Sequence, residues 1–317
     1  MAKIALLLVN TGSPSAPTPE AIAAYLSQFL SDRHIVDLPA FFWKPLLHHV
    51  IIPRRKKISA QRYASVWTPT GSPLVVNMQE ITTQLQDRLG GEFVVAMAMR
   101  YGSPSIEDAL DAVLAQRPDR LLLMPMFAQE AGETRGSVKE AFFDAIKQKG
   151  LSIPVQIVAP WFEHPAYIHA LSERIGASNL DCSKTRLIAS FHGIPIRNST
   201  EYVRECRRTT ELLESELGLE NGACRTVFQS KFGFGRWTEP SLKDVLLQEA
   251  TQGTRSVAVF CPGFSADCLE SIEEVAVKYR AIFLEAGGAE FTYISALNAG
   301  KSALALYERI VCEAIRG

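Results

Sequence analysis

The stretch Arg255-Ser-Val-Ala-Val-Phe-Cys-Pro-Gly-Phe264 joins a β-rich apolar run to an abrupt Pro-Gly stop. The run is too short for a buried helix, and the Pro-Gly pair marks the carboxyl end of a strand. A similar stretch, Arg120-Leu-Leu-Leu-Met-Pro125, stands in the first half of the chain. A segment of helical periodicity follows each of them, and this alternation is typical of parallel sheets.

Other parts of the chain repeat the alternation. Further strands are predicted at Ile4–Val9, Phe93–Met97, Val155–Val158, Arg186–Ala189, Thr226–Gln229 and Glu290–Ile294. Helices are predicted at Glu20–Leu30, Ile106–Ala115, Ser137–Gln148, Glu201–Leu217, Leu242–Glu249, Leu269–Glu285 and Lys301–Ile315. The sequence therefore predicts an α/β fold, in which ligands bind at the carboxyl ends of the strands.

The two halves of the chain also resemble each other. Pro104-Ser-Ile-Glu-Asp-Ala-Leu110 matches Pro240-Ser-Leu-Lys-Asp-Val-Leu246, and Glu133 falls opposite Glu270 when both are counted from the preceding proline. We predict two duplicated, doubly wound (Rossmann-like) domains with parallel sheets, at residues 1–150 and 151–317. The first would carry an insertion within residues 20–90. A cleft between such domains is the expected place for a small-molecule site.

Composition excludes several classes of function. The 317 residues carry a net charge of −1, whereas a nucleic-acid-binding protein usually has a basic excess. No apolar run reaches the length needed to span a bilayer, and the six cysteines form no Cys-x-x-Cys pair. These features favour a cytoplasmic protein with reduced thiols.

Two groups of residues could carry chemistry in the second half. His192 follows a predicted strand and precedes a Gly and a Pro, so its imidazole could exchange protons near neutral pH. The alternative is a turn histidine bonded to a neighbouring carbonyl. Glu270 and Glu274 lie four residues apart at a helix start, where like charges on one face destabilise a helix. The alternative for Glu270 is a purely structural role, since the helix dipole stabilises a carboxylate in the first turn of a helix.

An apolar segment followed by a basic run lies in the predicted insertion. Phe41-Phe-Trp43 and Leu46-Leu47 precede Pro53-Arg-Arg-Lys-Lys57. An apolar lip with a basic rim suits a flat hydrophobic ligand that bears carboxylates, or an anionic membrane surface. An ordinary buried helix with a solvated charge run is the alternative.

Together these residues resemble the ferrochelatase family. The resemblance covers nearly the whole chain and rests on motifs that occur in order: Leu8-Val-Asn-Thr-Gly-Ser-Pro14, Gly71-Ser-Pro-Leu74, Ser190-Phe-His-Gly-Ile-Pro195, Phe228-Gln-Ser-Lys-Phe-Gly233 and Cys261-Pro-Gly-Phe-Ser-Ala-Asp-Cys-Leu-Glu270. It implies insertion of Fe2+ into protoporphyrin IX, which gives protoheme and two protons in the last step of heme synthesis.

The resemblance also implies roles for individual residues. His192 and Glu270 match the family's catalytic pair, and Glu274 matches the next carboxylate of a ladder that leads to the metal, so all three are expected to contact the iron. The positions expected to bind the porphyrin are Thr11, Arg54, Arg55, Arg100, Tyr101 and Phe264. No cofactor is expected beyond the substrate iron, and no 2Fe–2S cluster. The expected partners are porphyrin and Fe2+, with peripheral contact to the inner membrane surface and no nucleic acid.

The sequence departs from the family pattern in places. Glu130 and Glu133 stand in a segment that is usually neutral, Thr11 replaces a Leu or Met, and Lys278 occupies the third rung of the acidic ladder. Two alternatives to ferrochelatase therefore stay open. One is a non-catalytic porphyrin- or heme-binding paralogue, and the other is a chelatase for a more polar tetrapyrrole such as coproporphyrin or sirohydrochlorin.

Overall fold

The computed structural model describes residues 3–181, 184–231 and 235–316. Cys182, and Phe232 and Gly233 of the fourth motif, lie outside these residues. The described chain divides into two compact units. The first comprises residues 3–126, Gly132–Ala159 and 310–316, and the second comprises Phe127–Ala131 and Pro160–Arg309. The first unit thus extends to Ala159 rather than ending at residue 150, because the strand after the predicted linker pairs with the first sheet.

The first unit is built on a four-stranded parallel sheet of order β2-β1-β3-β4. Its strands are β1 (Ile4–Ser13), β2 (Phe93–Gly102), β3 (Arg120–Pro125) and β4 (Val155–Ile157). Its α-helices are α1 (Pro19–Ser31), α2 (Ala40–Leu46), α3 (Ile52–Val66), α4 (Pro73–Leu89), α5 (Ile106–Leu114) and α6 (Ser137–Gln148). Two π-helical segments accompany them, π1 (Leu47–Ile51) and π2 (Gly132–Gly136).

The second unit holds a four-stranded parallel sheet of order β6-β5-β7-β8. Its strands are β5 (Thr185–His192), β6 (Cys224–Gln229), β7 (Ser256–Phe260) and β8 (Glu290–Ile294). Its helices are α7 (Pro165–Gly176), a 3-10 turn at Ile196–Asn198, α8 (Thr200–Glu216), α9 (Leu242–Thr251), π3 (Glu270–Tyr279) and α10 (Arg280–Glu285). The last helix of the chain is α11 (Lys301–Arg316).

The apolar runs explain which strands lie at the centre. Positions 4–9 of β1 are all buried, as expected for a strand with parallel neighbours on both sides and helices over the sheet. The central strand β5 of the second sheet is buried in the same way from Leu187 to Phe191. The sequence prediction of all strands is confirmed, with ends that differ by a few residues.

The two sheets share one strand order, which confirms the predicted duplicated architecture. The matched Pro-Ser blocks also form the same local structure, since Ser105 and Ser241 each cap a helix by accepting a hydrogen bond from the amide of an aspartate three residues on. In each sheet the second strand lies on one side of the first strand, and the third and fourth strands lie on the other side, so the strand order reverses there. These switch points, β1/β3 and β5/β7, are where open α/β sheets bind ligands.

The structure adds helices that the sequence pattern did not indicate. One is α4, and another is the part of α3 beyond the basic run, whereas α2 and the start of α3 agree with the helix alternative for the apolar segment. The predicted helix Leu269–Glu285 is correct in extent, but ten of its residues, Glu270–Tyr279, form the π-helix π3. Within the described residues, no helix is long and apolar enough to cross a membrane.

Candidate active site

His192 is the last residue of β5 and lies at the β5/β7 switch point. It is half-buried, and the hydroxyl of Tyr202 on α8 donates to its backbone carbonyl at 3.0 Å. The next residue, Gly193, donates its amide to the Gln229 carbonyl at 2.7 Å. A Cβ at Gly193 would lie only 2.8 Å from that carbonyl oxygen, so the turn that presents His192 requires glycine.

The imidazole of His192 has a defined tautomer. Its Nδ1 lies 2.7 Å from the carbonyl oxygen of Gly193. Because a carbonyl can only accept, Nδ1 carries the proton and donates, which leaves the lone pair of the neutral ring on Nε2. The alternative from the sequence, a turn histidine bonded to a neighbouring carbonyl, therefore describes this hydrogen bond correctly. That same bond prepares Nε2 to accept a proton.

Phe264 lies on the other side of the switch point. The turn after β7 is closed by a hydrogen bond from the Phe264 amide to the Cys261 carbonyl at 3.1 Å. The hydroxyl of buried Tyr167 donates to the Pro262 carbonyl at 2.5 Å, which anchors the turn from below. The Phe264 and His192 ring centroids are 6.4 Å apart. An aromatic face and an imidazole therefore stand side by side at this sheet edge.

Glu270 begins π3, six residues after Phe264, and is half-buried. Burial, and then the charge of Glu270, raises the pKa of the Cys268 thiol well above its usual value. The thiol therefore keeps its proton. π-Helices are rare and occur often at functional sites, because the widened turn redirects side chains.

Glu274 lies in the middle of π3 and is far more buried, with 9% of its side chain exposed. The Ser230 hydroxyl donates to Oε2 at 2.5 Å, and Lys278 Nζ lies 3.4 Å from Oε1. Within residues 3–181, 184–231 and 235–316, no three His, Cys, Asp or Glu side chains are grouped so that they could hold a metal ion. The predicted set His192, Glu270 and Glu274 thus forms no ready-made three-ligand cage in the described structure.

In the first unit, Arg100 and Tyr101 surround a carboxylate that the sequence analysis missed. Asp32 accepts hydrogen bonds at Oδ2 from Arg100 Nη2 at 2.5 Å, the Tyr101 hydroxyl at 2.7 Å and the Ser137 hydroxyl at 2.6 Å. Its Oδ1 accepts from the His34 amide at 2.7 Å. Tyr101 is only 2% exposed, so packing and this bond account for its side chain without a ligand.

Asp32 is held ionised by these donors. Burial by itself would raise the pKa of Asp32, but the hydrogen bonds from Ser137, Tyr101 and the His34 amide, together with the Arg100 charge, bring its pKa below the usual value. No local pattern could have identified this cluster, because Arg100 and Ser137 are 68 and 105 residues away from Asp32 along the chain.

Thr11 lies near the carboxyl end of β1 and is half-buried. Its amide hydrogen-bonds to the Asn10 side chain at 2.8 Å. The next residue, Gly12, has φ +109°, and a Cβ there would overlap the Tyr101 carbonyl oxygen at 1.8 Å. The strand ends of β1 and β2 are therefore in backbone contact, which places Thr11 and Arg100 at one edge of the first sheet.

Only part of the predicted apolar lip is exposed at the surface. Phe41 and Phe42 are 85% and 58% exposed, and Arg54 and Arg55 are exposed on α3. Trp43 and Leu47 are buried, which corrects their placement at the lip, because the Trp43 indole N–H donates to the Leu30 carbonyl at 2.6 Å and joins the core instead. The exposed apolar part is the Phe41-Phe42 pair, and Arg54 and Arg55 are its basic neighbours in sequence.

Fold and site together define a class. The described chain consists of two doubly wound units of one design, and the second unit carries an imidazole and carboxylates after its strand ends. Residues 3–315 match the family model described as ferrochelatase. The chain belongs to the ferrochelatase family, which places it among the enzymes that insert a metal ion into a tetrapyrrole.

Solved structures of other chelatases share the fold. The chain is similar to "SirB from Bacillus subtilis with Fe3+", with a TM-score of 0.55, 13% identity, and coverage of 98% of this chain and 95% of that chain. It is likewise similar to the sirohydrochlorin chelatase SirB from Bacillus subtilis subspecies spizizenii in complex with cobalt, with a TM-score of 0.55, 12% identity, and coverage of 99% and 94%. At this identity the likeness concerns the fold alone.

Proposed function

We propose that this protein is a ferrochelatase that inserts Fe2+ into protoporphyrin IX, releasing two protons and forming protoheme. The observation that carries the proposal is the orientation of His192, whose Nδ1–H is bonded to Gly193 so that Nε2 is left as a base at the β5/β7 switch point. Family membership over residues 3–315 supplies the reaction class.

The residue types suit this reaction. Pyrrole N–H groups are weak acids, so metal insertion needs a base close to the macrocycle, and the neutral imidazole of His192 serves as that base. Phe264 beside it offers a flat aromatic face for the ring. Glu270 is half-buried, and a carboxylate can replace water on Fe2+ and accept the second pyrrole proton.

Residues of the first unit suit the periphery of the substrate. Arg54 and Arg55 are exposed guanidinium groups that can pair with propionates. Thr11 and Arg100 lie at the strand ends of β1 and β2, although Arg100 already pairs with Asp32 at 2.5 Å. The exposed Phe41-Phe42 pair favours an apolar porphyrin with few carboxylates over coproporphyrin or sirohydrochlorin, which would call for additional cations.

Anaerobic mixing tests this function. Purified protein is combined with Fe2+ and, in separate runs, with protoporphyrin IX, coproporphyrin and sirohydrochlorin, and the Soret band is followed. We expect metallation of protoporphyrin IX in preference to the other two. Preference for another tetrapyrrole would identify a different chelatase, whereas binding with a Soret shift but no metallation would identify a porphyrin-binding paralogue.

Replacement of the Glu270 carboxylate should impair the chemical step. Glu270→Gln keeps the size of the side chain and removes its charge and proton-accepting capacity, so we expect kcat to fall by about 10²- to 10⁴-fold. Porphyrin affinity, measured by fluorescence quenching, should remain close to that of the wild type. Glu285→Gln, an exposed glutamate on α10, is the control and should retain full activity. A Glu270→Gln variant with normal kcat would exclude the role.

The Phe41-Phe42 pair should bind a membrane surface. Phe41→Ser combined with Phe42→Ser removes two exposed aromatic rings, so binding to phosphatidylglycerol-containing vesicles should weaken about tenfold or more in a flotation assay. Phe143→Ser removes a ring that is 47% exposed on α6 and is the matched control, with unchanged flotation expected. Absence of vesicle binding by the wild type would contradict the prediction.

A further inference from the structure

Glu274 is surrounded by hydrogen-bond donors. The Ser230 hydroxyl donates to Oε2 at 2.5 Å, and Lys278 Nζ lies 3.4 Å from Oε1. Burial, followed by the charge of Glu274, raises the pKa of Tyr279, so the phenol keeps its proton. A metal ion at this carboxylate would have to compete with a hydroxyl donor and a cation.

Ser230 has an unusual backbone conformation. It directly follows β6 and has φ 64°, a region that favours glycine. Its hydroxyl donates to Glu274 of π3 at 2.5 Å. This bond holds the serine in a conformation that it would otherwise seldom adopt.

The residue before Ser230 connects this arrangement to the catalytic turn. Gln229 is the register partner of His192, and its carbonyl accepts the Gly193 amide at 2.7 Å. Its side-chain oxygen accepts from the Ser190 hydroxyl at 2.6 Å. The Gly193 carbonyl in turn accepts from His192 Nδ1 at 2.7 Å. An unbroken series of short contacts therefore runs from Glu274 to the imidazole.

We propose that Glu274 is a positioning residue and not a carrier of the metal. It holds Ser230 in the left-handed conformation, which sets the Gln229 carbonyl, the Gly193 peptide and hence the orientation of His192. This inference rests on the proposed function for its catalytic readout. It also revises the role that the family resemblance implies for this carboxylate. Lys278, at the next position of the acidic ladder, agrees with this revision because a cation does not bind a metal ion.

Rescue by glycine tests the proposal. Glu274→Leu removes the acceptor of the Ser230 hydroxyl, so it should lower kcat by about ten- to hundredfold, since small displacements of a catalytic group have effects of this size, and should leave the KM for Fe2+ unchanged. Adding Ser230→Gly should restore most of kcat, because glycine adopts φ 64° without a hydrogen bond. A raised KM for Fe2+ that Ser230→Gly does not repair would identify Glu274 as a metal ligand and overturn the proposal.

Two further measurements keep the test decisive. Ser230→Ala leaves the Glu274 carboxylate in place, so a loss of kcat like that of Glu274→Leu supports positioning, and wild-type kcat contradicts it. NMR of ¹⁵N-histidine-labelled protein without substrate reports the His192 tautomer directly. We expect the Nδ1–H signal of His192 to shift or broaden in Glu274→Leu and to return in the double variant with Ser230→Gly. An unchanged signal would contradict positioning even if the wild type metallates none of the tetrapyrroles.

Discussion

His192→Ala is expected to reduce metal insertion by about 10²- to 10⁴-fold, because it removes the Nε2 lone pair that accepts a pyrrole proton. Two hydrogen bonds of the turn use only backbone atoms of residues 192 and 193, so the variant keeps them. They are the bond from the Gly193 amide to the Gln229 carbonyl and the bond from the Tyr202 hydroxyl to the carbonyl of residue 192. The variant should therefore stay folded and still bind porphyrin. Single-turnover metallation with pre-bound porphyrin measures the effect on chemistry alone.

A histidine elsewhere in the same unit serves as the control. His169 on α7 has a side chain that is 61% exposed and bonded only to surface glutamates in the described structure, so His169→Ala should metallate at the wild-type rate. Equal rates for His192→Ala and the wild type would remove His192 from the mechanism, and with it the main support for the proposed function.

Asp32→Ala is expected to lower the free energy of unfolding by about 3–5 kcal/mol, the usual cost of breaking a buried ion pair from one side. The substitution leaves the Arg100 guanidinium and the hydroxyl groups of Tyr101 and Ser137 without their shared acceptor. Urea denaturation followed by circular dichroism gives the value. Asp111→Ala is the control, since its side chain is 67% exposed and its pairing with Lys149 is worth about 0–1 kcal/mol.

The pH dependence of the Asp32 contribution has a definite sign. Its pKa in the folded protein is lower than the value of about 3.9 for an unfolded aspartate, so its stabilisation is complete above that value. It is lost as the pH falls through the lowered pKa of the folded state. The difference in unfolding free energy between the wild type and Asp32→Asn should accordingly shrink below about pH 4. A difference that grows on acidification would mean that Asp32 is protonated in the folded protein.

The amino-acid sequence by itself determined the sheets and their duplication. Runs such as Ile4–Val9 and Ser256–Phe260 are short, apolar on both faces and followed within three residues by Gly or Pro, a combination that indicates buried parallel strands. It also singled out His192, because a strand end followed by a turn presents side chains at the ligand-binding edge, and Glu270, because it shares a helix face with the like charge of Glu274.

Helices with polar surfaces were missed because their stability comes from packing. Residues Ile52–Val66 of α3 bury only Ile52, Ala60 and Tyr63, too few to make a clear periodic pattern. Likewise, Trp43 and Phe42 are adjacent aromatic residues in the sequence, yet one is buried and the other is exposed. Which of the two faces the core depends on the Leu30 carbonyl, a partner 13 residues away.

Only the tertiary structure decided the supports of the site. Asp32 meets Arg100 and Ser137, and Glu274 meets Ser230, through contacts between elements that are 44 to 105 residues apart in sequence. The π-helical form of Glu270–Tyr279 was equally invisible, since its apolar residues fit an α-helix as well. The hydrophobic pattern of a sequence indicates which face of one helix or strand is buried. Hydrogen-bond partners depend instead on which helices and strands the fold brings together.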